Sequence, residues 1–443
     1  MSAVARKEPR LDTSENANPG TDTAPMPEHD AAATPPTPST PFTPTTGDTG
    51  GVLDVAGTLK PLQLPELLQI AARESGKSFQ QIVGEMARLA FGPGKISTEE
   101  YFSLRLFDDA LLGGVDKRAF IGFRVSRDVW GAVNHRQDWY GVMDDKLAIE
   151  AMMTGYGFAV PRTAAVFSDG PARPGFRHLG DRAALQAFLA AGGNYPMFAK
   201  PLDAFRSLGT MDLEGYDAET GCLAIPGGRS VPLDAFIDDV IANYSAGYLF
   251  QKRLTPHRDV RAMCGNRLAC VRIITLWGDQ GPEVFRTAWK IPAGANVADN
   301  YWRGNILAQL DPDSGAIRSA WRPVRIWSER LDAHPDTGVA LIGREVPGWS
   351  GIVDLALDCA RAFPGVPLIG WDIAPTDDGA VLIEPNHTPD FMLPQIADTC
   401  GVMDERLKSA MARSKRAGQD RLKKLKAFDR RESHNRFRQV FAR

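Results

Sequence analysis

Two apolar stretches decide how this chain is read: Gly370-Trp371-Asp372-Ile373 and Val381-Leu382-Ile383-Glu384-Pro385-Asn386, separated by Thr376-Asp377-Asp378-Gly379. The separator is made of turn residues, so the pair predicts an antiparallel hairpin. Glu384 and Asn386 stand two apart and therefore share one side of an extended chain, where Asp372 on the partner strand can join them. Carboxylate and amide oxygens suit a hard Mg2+ ion, which keeps waters and substrate phosphates as its other ligands. The competing reading makes Asp372 a strand-end cap and Glu384-Pro385-Asn386 a turn before Pro389, and the hairpin alone leaves both open.

Upstream lie further pieces of the same kind. Phe198-Ala199-Lys200-Pro201 ends an apolar strand in a lysine. A buried ammonium without a partner is costly, so Lys200 either snorkels to the surface or faces an anion such as phosphate. Behind it, Ser207, Gly209 and Thr210 form a small-residue loop that can bring N–H groups and hydroxyls to phosphate oxygens, or an ordinary hairpin turn. The run from Tyr248 to Leu254 is either an edge strand or the lining of an adenine slot. In the second case backbone groups along Gln251 and Lys252 read the purine edge and Leu254 covers its face. Arg272 and Lys290 are cations embedded in apolar strands, where a phosphate or an internal salt bridge would account for them equally well.

A chain of 443 residues, 43% hydrophobic, can bury a core large enough for two or three packed subdomains. No apolar run approaches the roughly 20 residues that cross a bilayer, and the first residues lack a secretory h-region, so a soluble cytoplasmic protein is expected. The five cysteines are scattered and never form a C-x-x-C pair, which predicts reduced thiols and neither disulfides nor a zinc site. Residues 1–55, rich in Pro and Thr and almost without aromatics, predict a disordered tail. Between 56 and 137 apolar residues recur at helical spacing, as in Leu64, Leu67, Leu68 and Ala71. Ser97 with Glu100 adds a capping box. From 138 to 411 strands alternate with helices, in the grammar of a mixed α/β region. Residues 412–443 form a basic helix with a thin apolar stripe, suited to an anionic partner or, alternatively, packed by Leu422, Leu425 and Phe428.

Read in order, Asp145-Lys146, Phe198-x-Lys200-Pro201, Ser207-Leu208-Gly209, Phe250-Gln251-Lys252, Arg272, Asp372 and Glu384-Pro385-Asn386 resemble the ATP-grasp superfamily. The chain looks most like its sugar-transfer-associated members and relatives described as similar to alpha-L-glutamate ligases. The likeness covers roughly residues 138–411, and Trp139-Tyr140-Gly141, Leu254-Thr255-Pro256-His257 and Val297-Ala298-Asp299-Asn300 add to it.

That resemblance implies an α+β ATP-grasp fold in which two α+β subdomains grip ATP. Lys146 and Lys200 would contact its phosphates, the 207–210 loop would cover them, and Asp372, Glu384 and Asn386 would hold two Mg2+ ions. Arg272 and Lys290 would screen charge on the transferred group, where most phosphoryl-transfer catalysis arises. The implied activity is an ATP-dependent carboxylate–amine ligase working through an acylphosphate. Its substrates would be a small-molecule or saccharide carboxylate and an amine acceptor, in sugar, polysaccharide or peptide-like metabolite modification. A kinase acting on a hydroxyl and a non-catalytic ATP-binding scaffold are the alternatives, and the complete Asp372, Glu384 and Asn386 set weighs against the scaffold. The chain departs from the pattern in its helical N-terminal region and in Ala269-Cys270 before the arginine strand. His257 and His387 adjoin motif residues, as nucleotide or acceptor contacts or as ordinary satisfied polar groups.

Overall fold

Helical spacing at the start of the chain produces helices whose apolar faces are buried. In the computed structural model, which describes residues 63–441 apart from 135, 204–208, 295–300, 302–303 and 325–326, α1 (Leu64–Ser75) and α2 (Phe79–Phe91) bury Leu67, Ala71, Ile82 and Leu89. The tail read at 1–55, Ser207 and the stretch 297–300 lie outside the described residues. α3 (Thr98–Ser103) opens on a capping box: the Ser97 hydroxyl accepts from the Glu100 N–H at 3.2 Å, and Glu100 Oε2 accepts from the Ser97 N–H at 2.7 Å. α4 (Asp109–Leu112), α5 (Phe123–Val133) and α6 (Tyr140–Asp144) follow. Asp145 caps α7 (Lys146–Gly155), accepting from the N–H groups of Leu147 and Ala148 at 3.0 Å each.

The first sheet contains β1 (Thr163–Phe167), β2 (His178–Leu179), β3 (Met197–Pro201) and β4 (Met211–Leu213). β5 (Gly215–Asp217), β6 (Cys222–Ile225) and β7 (Arg229–Pro232) form a small sheet of their own, after which β8 (Tyr248–Lys252) returns to the first, giving the order β2-β1-β8-β3-β4. α8 (Arg182–Ala190) and α9 (Leu233–Asn243) cover one face with Leu185, Phe188, Phe236 and Ile237, packed on Met197, Ala199 and Phe250. The alternate residues therefore face the other way: Val166, Leu249 and Gln251 lie under α7, where Leu147 packs on Val166 and Leu249.

The second sheet contains β9 (Val271–Trp277), β10 (Pro282–Ile291), β11 (Ile306–Leu310), β12 (Ile317–Val324), β13 (Trp327–Arg330), β14 (Leu368–Thr376) and β15 (Gly379–Asn386). Its order is β13-β12-β11-β10-β9-β14-β15, antiparallel throughout. α10 (Arg258–Cys264) and α11 (Trp349–Arg361) cover one face, with Ile352, Ala356 and Ala360 against Ile273, Trp289, Trp371 and Ile373. On the opposite face the N-terminal helices and α12 (Met392–Asp398) bury Ala288, Leu307 and Trp321. α5 and α13 (Glu405–Phe441) bury Ile274, Leu276 and Leu368 there. One corner of that face is left to polar residues.

α13 seats Leu407 and Ala410 on the body, yet farther along Leu425 and Phe428 are 50% and 60% exposed. A stripe packed by these two residues is thus not what the structure contains. Among the described residues no helix is long and apolar enough to cross a membrane.

Candidate nucleotide site

Register does most of the placing. β9, β14 and β15 set Arg272, Asp372 and Glu384 directly opposite one another across three strands, so their side chains share a face. Asn386, two beyond Glu384 and opposite Gly370, belongs to the same face. Lys290 reaches it from β10, two beyond Ala288, the partner of Arg272. Strict alternation would also put Leu382 there. A bulge prevents this: Asp372 pairs with Glu384 but Ile373 pairs with Leu382, leaving Ile383 as the extra residue. Leu382 therefore turns with Ile373 into the α11 core while Glu384 keeps the polar face.

Asp372 is 3% exposed and fully engaged. Its Oδ1 accepts from Arg272 Nε at 2.6 Å, and its Oδ2 from Arg272 Nη2 at 2.9 Å and Lys290 Nζ at 3.0 Å. Burial works to raise its pKa, but the charges of Arg272 and then Lys290 outweigh it and hold the carboxyl well below the usual range. Of the two explanations open for the embedded cations, the ion pair is the one seen, with Asp372 as the shared partner. Two cations meet one carboxylate here, and Asp372 leaves Arg272 Nη1 unused.

Beside it, Glu384 makes no hydrogen bond or ion pair among the described residues, and Asn386 Nδ2 is buried without a partner. Asp372, Glu384 and Asn386 together offer oxygen donors of the kind Mg2+ takes, and the Glu384 carboxylate among them has no protein partner among the described residues. Among the described residues, this cluster included, no three His, Cys, Asp or Glu side chains gather as a metal site.

β3 and α7 supply two further cations. Lys200, half-buried near the end of β3, has no hydrogen-bond partner among the described residues. Burial lowers its pKa; the charge of Glu384 is the largest pull in the other direction, Lys146 adds repulsion, and Glu150 attracts. Lys146 donates to the Leu202 carbonyl at 2.7 Å, and its pKa is likewise lowered by burial, with Glu384 the strongest opposing charge. Lys146, at the start of α7, and Lys200, on β3, thus both feel the carboxylate of Glu384 on β15.

The remaining expected residues fall as follows. Gly209 has φ +69°, its carbonyl accepts from Tyr248 Oη at 2.7 Å, and a β-carbon there would lie 2.5 Å from the Tyr244 ring, so packing alone demands glycine. Thr210 follows it, just before β4. Gln251 is buried on the α7 side of β8, Lys252 is exposed at the strand end, and Leu254 is half-buried beyond it. His257 is a cap, its Nδ1 accepting from the Asp259 N–H at 3.2 Å. His387 stacks on Tyr140 with centroids 3.8 Å apart and meets Asp144 Oδ1 at 2.9 Å through Nε2, while its Nδ1 is buried and unpartnered. One residue absent from the sequence reading belongs to the site: Glu150, buried on α7 one turn after Lys146. Its signal was the i, i+4 spacing, which places an acid beneath the lysine on one helix face.

Two antiparallel-rich sheets covered by helices, with Lys146 and Lys200 on the first half and Asp372, Glu384 and Asn386 on the second, define an α+β fold. Residues 236–411 match the family model described as sugar-transfer associated ATP-grasp. Among solved structures, D-alanine–D-alanine ligase from Bacillus anthracis aligns at 13% identity and a TM-score of 0.34, over 63% of this chain and 70% of that one. A RimK domain ATP-grasp protein from Sphaerobacter thermophilus DSM 20745 aligns at 13% and 0.30, over 61% and 71%. The ADP complex of N5-carboxyaminoimidazole ribonucleotide synthetase aligns at 12% and 0.33, over 58% of this chain and 50% of that one, so the chain spans about half of that synthetase. No curated protein matches the chain.

Proposed function

We propose that this protein is a cytoplasmic, ATP-dependent ligase that activates a carboxylate as an acylphosphate and passes it to an amine. What supports the reading is that Lys146 and Lys200 both feel the charge of Glu384, which shares a strand face with Asp372 and Asn386, while the side chains of Lys200 and Glu384 have no hydrogen-bond partner among the described residues. A lysine from α7 and one from β3, with a carboxylate from β15 that has no side-chain partner, would form a site for triphosphate and Mg2+ together. Lys146, Lys200 and the 207–210 loop would contact the phosphates, and Gln251, Lys252 and Leu254 would line the base. Asp372, Glu384 and Asn386 would hold Mg2+, which when bound neutralises phosphate charge. Arg272, through Nη1, and Lys290 add positive potential where negative charge grows on the transferred group.

The acceptor class follows from the ATP-grasp assignment, whose members commonly phosphorylate carboxylates. Incubation with ATP, Mg2+ and a panel of sugar acids, amino acids and amines tests it. Free phosphate with a new amide is the expected result. A phosphorylated hydroxyl would make the protein a kinase, and absence of any Mg2+-dependent ATP binding by calorimetry would remove the site itself. In that experiment Lys200→Ala and the double change Asp372→Ala with Glu384→Ala should lose ATP while circular dichroism shows them folded.

A further inference from the structure

Gln251 lies on β8 directly opposite Thr163 of β1, and Phe198 of β3 is its partner on the other side. Its Nε2 and Thr163 Oγ1 are 3.3 Å apart. Thr163 in turn meets Glu150 of α7 twice: its N–H donates to Oε1 at 2.9 Å, and its hydroxyl donates to Oε2. All three residues stand on the Lys200 side of the sheet, under α7. Glu150 and Gln251 are 7% and 5% exposed.

The direction of this chain of hydrogen bonds is fixed by donor and acceptor inventory. An ionised carboxylate only accepts, so the Thr163 hydroxyl must spend its single proton on Glu150. Its oxygen then has only acceptor capacity toward Gln251, which must present its NH2 group. The amide consequently turns its carbonyl, Oε1, away from Thr163, and among the described residues no group donates to that oxygen. An amide that flips freely in isolation is here set in one orientation by a carboxylate two residues removed.

We infer that Glu150, acting through Thr163, is a positioning residue that makes Gln251 an acceptor toward the nucleotide base and so selects a purine with an amino group at position 6 over one with a carbonyl there. This rests on the proposed ATP site. A base with an amino group donates to Oε1, whereas a 6-oxo purine would set oxygen against oxygen.

Replacing the carboxylate by an amide reverses the order. In Glu150→Gln the new Oε1 still accepts from the Thr163 N–H, but the new NH2 group donates to the Thr163 hydroxyl oxygen. The hydroxyl proton must then point at Gln251, whose carbonyl turns inward to accept it and whose NH2 group turns toward the base. Thr163→Val removes the connection altogether and lets the Gln251 amide choose either orientation.

The experiment is competitive binding of ATP and inosine triphosphate, which differ at position 6 of the base, to the full chain with Mg2+. Wild type should prefer ATP. Glu150→Gln should shift the ATP-to-ITP affinity ratio toward ITP by about tenfold or more, the worth of one hydrogen bond made or lost. Thr163→Val should bring the ratio toward one without inverting it. Loss of packing alone would weaken both nucleotides together and leave the ratio unmoved. Folded variants that keep the wild-type ratio overturn the inference while leaving the ATP site standing. A wild type that binds neither nucleotide removes the site and, with it, the role assigned to Glu150.

Discussion

The side chain of Arg272 occupies the space that any side chain at Gly370 would need: a β-carbon there would lie 3.2 Å from Arg272 Cδ, 3.4 Å from its Nη1 and 2.9 Å from Pro389 Cβ. Gly370 faces the same side as Asp372, two residues on, so its bareness is what lets the guanidinium lie flat along β14 and meet the carboxylate with two nitrogens. Gly370→Ala should cost about 1–3 kcal/mol, as overpacking of a filled core does. It should also weaken nucleotide binding while leaving the far-ultraviolet circular dichroism unchanged. Urea melts together with ATP calorimetry check both, and a variant as stable as wild type would mean that Arg272 moves aside at no cost.

Asp372 is the keystone of a buried cluster, and its loss leaves two cations facing each other. Asp372→Asn is expected to lose about 3–5 kcal/mol at pH 7, the usual result of breaking one partner out of a buried ion pair. The folded pKa of Asp372 is depressed, so its contribution is complete above the unfolded value of about 4 and fades as pH falls below it. Wild-type stability should therefore drop from about pH 4 downward more steeply than that of the variant. Parallel curves for the two proteins from pH 5 to pH 2 would contradict the assignment.

Lys200 carries the opposite sign. Its folded pKa is lowered by burial, so the charged form is a standing cost at neutral pH, relieved as pH rises from the folded value toward the unfolded value of about 10.4. Lys200→Met should be at least as stable as wild type at pH 7, with the advantage shrinking toward pH 10, while ATP affinity falls sharply. Denaturation at both pH values beside calorimetry reads the two effects separately. A methionine variant less stable at pH 7 would show that Lys200 has stabilising partners within the protein.

Asp398, near Arg286 and Arg318 at the end of α12, has its pKa pushed up to about 7 by burial, which exceeds the pull of those arginines. A raised carboxyl is neutral in the fold when it is already ionised in the open chain, so stability declines as pH climbs from about 4 to that folded value. Asp398→Asn should accordingly gain on the order of 1–4 kcal/mol at pH 8 and nothing at pH 4. Thermal melting at the two pH values measures the difference, and an equal change at both would point to packing instead of charge.

What could be read in advance follows from which physical signals are local. The row of Asp372, Glu384 and Asn386 was legible because alternation and a turn are short-range facts, and the register bears out that they share a face. The ATP-grasp assignment was legible from the order of its pieces and is matched by the family model over residues 236–411. The pairing of Arg272 and Lys290 with Asp372 was one of two open readings, since an embedded cation announces that it needs a partner without saying which. Glu150 stayed hidden because its partner Thr163 lies on β1, beyond the helix, and the i, i+4 spacing from Lys146 marks a shared helix face without marking burial. The bulge at Ile383 leaves no trace in composition at all, because Ile383 would sit as well in a regular strand.

That bulge gives the hairpin a parity. Between the turn and the bulge, odd and even positions of β15 point one way; beyond it they exchange. Leu382 and Glu384 hold opposite destinations because one surplus residue separates the two regimes. Deleting Ile383 itself would leave Leu382 and Glu384 as neighbours on opposite faces of a regular strand, so the carboxylate would stay beside Asp372 and the leucine in the α11 core. What this segment specifies is the relative facing of Leu382 and Glu384, which the bulge and a one-residue deletion at 383 satisfy equally.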